Sequence, residues 1–210
     1  TAASLSLKVV ATDTESTMAS TATPDSRSCS AREMPNLSNM ARTSGAMAVG
    51  ATGAVGKESL EILEARNFPI ETLRLFSSKR SAGDVLSCQG KEYKVEELTE
   101  ASSFAGVDIA FVSATDTISR DYGARLGAAG VVVIDDSAVF RMDPDVPLVV
   151  PEVKGAALRS MKRGIVAIPN CTTTPLVMAL KPLRDIAGIK RVVVTTFQSV
   201  SGTGSAAMDE

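Results

Sequence analysis

The sequence predicts an α/β protein built on a parallel sheet. Short β-rich runs alternate with helical ones from Ala46 onward, and a glycine-rich turn joins the first such strand to the first helix. Strand, helix and strand in alternation require right-handed crossovers over one sheet. No internal repeat competes with this reading.

Residues 1–45 precede the pattern. They are rich in Ser, Thr and Ala with no sustained apolar period, so they cannot bury enough surface to offset ordering entropy and read as disordered. A transit peptide is the alternative to a plain N-terminal extension, although Asp13, Glu15, Asp25 and Glu33 are unlike the acid-poor composition of such peptides. The chain opens on Thr1 rather than Met, so Thr1 is not taken as a natural start. Strands are expected at 46–50, 71–77, 108–114, 131–136, 164–169 and 191–198. The helix at 55–66 carries Val55, Leu60 and Leu63 on one face, and the helix at 116–129 opens on Asp116 as its cap and stops before Gly130. Residues 85–98 read as a hairpin turning at Gln89-Gly90.

Composition narrows the partners. With 44% hydrophobic and 22% charged residues the chain has an ordinary soluble globular balance. A net charge of -2 without a long basic run argues against nucleic acid and anionic membranes, and no apolar run approaches a membrane span. Small molecules are the expected partners. Cys29, Cys88 and Cys171 are too few and scattered for a disulfide framework. Histidine is absent, and no metal is expected.

The glycine turn is "VGATGAVGKESLEIL", with Gly50, Gly53 and Gly56 between strand and helix. Glycines there let the backbone approach a pyrophosphate that then sits on the helix N-terminus, which makes the domain Rossmann-like. A plain tight turn is the alternative. Beyond the second strand lies "SSKRSAG", residues 77–83, with hydroxyls such as Ser78, and with Lys79 and Arg80, where an NAD site would place a carboxylate. A guanidinium there suits a 2′-phosphate, so NADP is the expected cofactor. A solvated basic turn is the other reading.

"IPNCTTTP" places Cys171 at, or one residue before, a helix N-terminus, where unpaired N–H groups would stabilise a thiolate and an oxyanion. A small buried hydrophobe is the alternative for any free cysteine; Cys29 and Cys88 are not expected to be nucleophiles. Arg141, in the loop of "DDSAVFRMDPDVPLVVPE", is placed either to hold an anionic substrate or simply on the surface. "TTFQSVSGTGSAAMDE" leaves a strand at Gln198 and enters a second glycine-rich helix start at Ser201, Gly202 and Gly204.

Taken in order and spacing, "VGATGAVG", "SSKRSAG", "VVVIDDSAVFRM", "VPLVVPE", "IPNCTTTP" and "TTFQSVSGTG" resemble the aspartate-semialdehyde dehydrogenase family from about residue 46 to the last. The related acyl-phosphate reductase of arginine biosynthesis usually has glycine before the cysteine, and Asn170 favours the first family. The resemblance implies NADPH-dependent reduction of aspartyl phosphate to aspartate semialdehyde, the branch point to lysine, threonine, methionine and isoleucine. It implies a thioester on Cys171. It matches Thr52, Gly53, Ala54 and Val55 to the pyrophosphate loop, Arg80 and Ser81 to the 2′-phosphate site, and Ser113, Ser201 and Gly202 to further cofactor contacts. Arg141 matches a phosphate-binding arginine, and Asn170 and Gln198 match substrate-orienting positions.

The resemblance also implies domains at 46–168, binding NADP, and at 169–210, the truncated start of an α+β catalytic and dimerisation domain. The family is about one and a half times as long, and its C-terminal portion holds the acid/base histidine, a carboxylate-binding arginine and most of a dimer surface. Little or no dehydrogenase activity is therefore expected of these 210 residues alone, and a homodimer or homotetramer of the longer chain. The compartment expected is plastid or cytoplasm. Departures from the family are Thr115-Asp116 in place of a Gly-Gly pair, Asp136 in place of Asn, and Lys154 in place of Asn. They keep a competing expectation open, a non-catalytic NADP-binding module or decayed paralogue.

Overall fold

A computed structural model describes residues 43–198 of the chain. Expectations for 1–42 and 199–210, including Cys29, Ser201, Gly202 and Gly204, lie outside the described residues. In chain order the elements are β1 (Thr43–Val49), α1 (Ala54–Ala65), β2 (Ile70–Ser77), β3 (Val85–Cys88), β4 (Lys91–Glu97), β5 (Ile109–Val112), α2 (Asp116–Ile118), α3 (Ala124–Ala128), β6 (Val132–Asp135), α4 (Pro151–Lys154), β7 (Ile165–Ala167) and α5 (Thr173–Ala187). A π-helical turn, Ser119–Gly123, joins α2 to α3, and short 3-10 turns lie at Lys79–Ser81 and Gly155–Ser160.

The seven strands form one sheet in the order β3-β4-β2-β1-β5-β6-β7, parallel throughout except for the β3–β4 hairpin. The chain runs outward from β1 to β2 and then restarts on the other side of β1 with β5. That reversal opens a crevice beyond the carboxyl ends of β1 and β5, the place where open α/β sheets bind ligands.

β1 lacks strong β-formers, and burial compensates. Ala46 and Ala48 face the apolar layer that holds Leu60, Leu63, Leu73 and Leu75, whereas Met47 and Val49 face Phe76, Val112, Leu126 and Val133 on the other side. Alternation with period two puts the small residues under α1. Burying Leu60 and Leu63 contributes about 1.5–3 kcal/mol each.

Four sequence expectations change. On α1 the buried row is Gly56, Leu60 and Leu63; Val55 belongs to the exposed first turn. Asp116 is not a cap, because Thr115 holds that position and neither side chain bonds the helix start. β1 starts at Thr43, ahead of residue 46. Residues 191–198 form no strand: no neighbour pairs with them among the described residues, and Val192, Val193 and Phe197 are exposed. A β pattern without a partner has nothing to close its backbone hydrogen bonds. The hairpin falls where expected, with Gln89 (φ 52°) and Gly90 (φ 70°) in the left-handed conformations of a tight two-residue turn. Among the described residues no helix is long and apolar enough to cross a membrane.

Candidate cofactor crevice and thiol site

The glycine loop is dictated by close backbone approach. Gly50 has φ 81°, and a Cβ there would lie 1.9 Å from the Ser113 carbonyl oxygen at the end of β5. A Cβ on Gly56 would lie 2.3 Å from the Gly50 carbonyl oxygen and 2.8 Å from the Ala51 Cα, so α1 can press onto the loop only with glycine. Gly53 donates its N–H to the Gly50 carbonyl at 3.0 Å and caps α1 without a side chain. The first bond of that helix runs from the Lys57 N–H to the Gly53 carbonyl. The N–H groups of Ala54, Val55 and Gly56 therefore have no partner inside the helix, as an anion site requires.

Beside this loop, Thr52 Oγ1 and Ser77 Oγ share a hydrogen bond of 2.7 Å, pinning the loop to the end of β2. Ser78 then starts the 3-10 turn, in which the Ser81 N–H bonds the Ser78 carbonyl at 3.0 Å. Ser78, Lys79 and Arg80 are exposed, and Arg80 has no ion pair among the described residues. A free guanidinium one turn from the crevice suits a phosphate. The donors and the glycines together fit the pyrophosphate of a dinucleotide.

The end of β6 adds two carboxyl groups, and the end of β5 a hydroxyl that meets one of them. Ser113 Oγ donates to Asp136 Oδ2 at 2.8 Å. Burial pushes the Asp136 carboxyl up from its ordinary value, the Ser113 hydrogen bond opposes that, the neighbouring Asp135 charge adds to it and Arg141 subtracts. Asp135 is fully buried; its Oδ1 accepts from the Ser137 N–H at 3.0 Å and from Ser137 Oγ at 2.5 Å, while its Oδ2 has no partner among the described residues. Sequence reasoning passed over this Asp-x-Ser turn, although Asp two residues before Ser is a recognisable local hydrogen-bonding pattern. Thr115 and Asp116 are both exposed at the crevice end of β5.

Arg141 clamps two strand ends together. Its Nε donates to the Ile168 carbonyl at 2.9 Å and its Nη2 to the Asp136 carbonyl at 2.5 Å. Asn170 and Cys171 follow directly on that held segment. Cys171 is exposed, one residue before the helix cap Thr172, with its Sγ 3.9 Å from Asn170 Oδ1. Gln198 Oε1 accepts from Asn170 Nδ2 at 3.4 Å, so the chain returns to the thiol 28 residues later. The structure thus joins Asn170 to Cys171 and Gln198, and holds Arg141 on the Ile168 carbonyl two residues before Asn170. Cys88 is buried in β3 with its thiol on the Leu60 carbonyl.

One expectation fails here. The N–H groups at the start of α5 are not free: Thr172 N–H bonds Asn170 Oδ1 at 3.0 Å, and those of Thr173 and Thr174 bond the Asn170 carbonyl at 2.9 and 3.2 Å. Asparagine caps the helix from two residues ahead and takes the donors that an oxyanion would need. Within 171–174 only the Cys171 N–H has no hydrogen bond among the described residues. An open groove of about 460 Å³ runs from Arg141 along the following loop to Lys154 and Lys162, away from the glycine turn.

Comparison with known proteins agrees with this geometry. The family described as "Semialdehyde dehydrogenase, NAD binding domain" matches residues 46–161. An aspartate-semialdehyde dehydrogenase of Aquifex aeolicus is 53% identical over 163 residues, which are 77% of this chain and 48% of that protein. The crystal structure of aspartate semialdehyde dehydrogenase II from Vibrio cholerae complexed with ASA superposes with a TM-score of 0.77 at 43% identity, over 80% of this chain and 50% of that one. The aspartate semialdehyde dehydrogenase of Candida albicans with NADP has a TM-score of 0.54 at 28% identity, over 70% and 48%. The chain spans about half the length of the curated relatives it matches. With its crevice and glycine loop inside the matched region, the chain belongs to the semialdehyde dehydrogenase family, whose NAD-binding domain occupies residues 46–161.

Proposed function

We propose that this chain provides the NADP-binding part and the nucleophilic thiol of an aspartate-semialdehyde dehydrogenase, an enzyme that reduces L-aspartyl 4-phosphate to L-aspartate 4-semialdehyde. The observation that carries the reading is the joining of Arg141 to the Ile168 carbonyl, which sets a cation beside the segment bearing Asn170 and Cys171 at the edge of a dinucleotide crevice. The names of its relatives support the substrate, and a relative with NADP supports the cofactor.

In this reading the glycine loop and the free N–H groups of α1 hold the pyrophosphate, and Arg80 with Ser78 and Ser81 holds the 2′-phosphate. Bound NADPH supplies the hydride. Arg141 keeps a guanidinium nitrogen, Nη1, for the phosphoryl group of the substrate. The Cys171 thiolate attacks the acyl carbon, phosphate leaves with the bonding pair, and an acyl thioester remains on Sγ. The Cys171 N–H is the donor left over for the oxygen that becomes negative in that step, and Asn170 with Gln198 orients the substrate. With no histidine in the sequence, the chain offers no imidazole to move the proton, so turnover requires a group from elsewhere.

The test is mass spectrometry of the chain after incubation with aspartyl phosphate. The reading expects one acyl group, lost on hydroxylamine treatment, on the peptide of Cys171 and none in Cys171→Ser. An unmodified Cys171 peptide under conditions that acylate a full-length relative would overturn it. NADP reduction by aspartate semialdehyde and phosphate, assayed on the same protein, is expected to be near background.

A further inference from the structure

Across the middle of the sheet three residues stand in a row at the carboxyl ends. Val49, Val112 and Asp135 are in register on β1, β5 and β6, so Gly50, Ser113 and Asp136 follow one step beyond. Adjacent strands are about 4.8 Å apart. Gly50 lies against the Ser113 carbonyl so closely that no Cβ fits, the Ser113 N–H bonds the Val49 carbonyl at 3.0 Å, and the Asp136 N–H bonds the Val112 carbonyl at 3.1 Å. The Ser113 hydroxyl, on the crevice side of this row, is given to the Asp136 carboxylate at 2.8 Å rather than left for a ligand. A carboxylate therefore stands one hydroxyl away from the loop expected to hold two phosphates.

We infer that Asp136 sets the pH dependence of dinucleotide binding in this chain: ionised, it engages Ser113 and opposes the anionic ligand, and protonated, it relieves that opposition and can return a donor. The inference rests on the cofactor reading above. The charged groups around Asp136 are Asp135 from its own strand and Arg141 from the following loop, with Ser113 reaching it from β5. Arg141 spends its Nη2 on the Asp136 main-chain carbonyl, not on the carboxylate, so the acid is not paired by a direct ion pair. Half-burial of the group favours its neutral form, and the neighbouring Asp135 charge adds to that.

The 2′-phosphate of NADPH also titrates near neutral pH, and with the opposite consequence: its second charge strengthens the contact to Arg80. The wild-type slope alone mixes the two, and their separation needs a neutral isostere. NADPH affinity is measured by fluorescence from pH 5 to pH 8 for the chain and for Asp136→Asn. The expected result is a variant-to-parent affinity ratio that rises with pH, to about fivefold at pH 8, the size of one partly screened charge. Where Asp136→Asn does not fold, Asp136→Ser repeats the comparison. A ratio that stays flat with pH while both proteins bind overturns the role given to Asp136 and leaves the cofactor site standing. Absence of NADPH binding in both proteins at every pH overturns the cofactor reading, and this inference with it.

Discussion

Arg141 Nε donates to the Ile168 carbonyl at 2.9 Å, across 27 residues of sequence, and so ties the loop after β6 to the segment that carries the thiol. The same guanidinium reaches the Asp136 carbonyl. One planar fork holding two carbonyls is a task lysine cannot repeat, since an ammonium is a point donor on a flexible stem. Arg141→Lys is expected to destabilise the fold by about 1.5–3 kcal/mol, the size of hydrogen bonds made by a charged group, as read by urea denaturation. Alkylation of Cys171 should separate charge from position: the rate ratio of iodoacetate to iodoacetamide is expected to fall in Arg141→Met, while an unchanged ratio would place the guanidinium away from the thiol.

Arg80 stands free in an exposed turn, so removing it should touch the ligand and not the fold. Arg80→Ala is expected to weaken NADPH binding about tenfold or more, the loss of a charge-assisted pair to phosphate, with NADH affinity unchanged. Its unfolding free energy should stay within about 0.5 kcal/mol of the parent. Equal losses for both dinucleotides would remove Arg80 from the 2′-phosphate site.

The three glycines of the loop differ in what a methyl group would meet. On Gly56 it would meet backbone at 2.3 Å and 2.8 Å, on Gly53 one carbonyl oxygen at 3.2 Å. Backbone cannot rotate away as a flexible side chain can, so Gly56→Ala is expected to cost about 1–3 kcal/mol and to reduce NADPH binding together with stability. Gly53→Ala, with φ -69° at its cap position, should fold nearly as well as the parent. Thermal melts with and without NADPH distinguish the two. A Gly56→Ala protein that melts like the parent would show that α1 does not press on the loop.

Much of this was legible because it rests on local rules. Gly50 and Gly56 stand where two backbones meet, and Gln89-Gly90 turns a hairpin whose strands alternate. Those requirements are written within a few residues of where they act. Cys171 could be placed before a helix by the same logic, but the fate of the helix N–H groups could not, because it turns on the rotamer of Asn170 and on one carbonyl. The Ser113–Asp136 contact joins residues 23 apart on neighbouring strands, so neither residue signals it alone. Helix period alone turns Val55 inward because it marks a face without saying where the face begins; the close fit of Gly56 on the loop decides that. Residues 191–198 carry a strand's composition, yet a strand is a property of two segments.

Far from the crevice, Arg74 on β2 and Glu96 on β4 make a two-pronged ion pair, Nε to Oε1 at 2.9 Å and Nη2 to Oε2 at 2.7 Å. The Arg74 guanidinium beside Glu96, through that hydrogen bond first, holds the carboxyl below its usual range against the opposing effect of burial. A carboxyl depressed by folding stabilises the fold at pH values above its unfolded pKa, about 4.3, and the stabilisation is lost as pH falls through the lower, folded value. Glu96 is 44% exposed, so solvent screens the pair and its worth near neutrality is at most about 1 kcal/mol. Glu96→Gln should therefore cost that much at pH 7 and nothing at pH 3. Arg74→Met should cost more, and part of its cost should persist at pH 3, because Arg74 also donates to the Ser103 carbonyl at 2.7 Å and lies 4.8 Å above the ring of Phe76, neither of which titrates in that range. Urea denaturation of the two variants at both pH values decides the matter: converging stabilities at pH 3 would mean that the ion pair is all that Arg74 contributes.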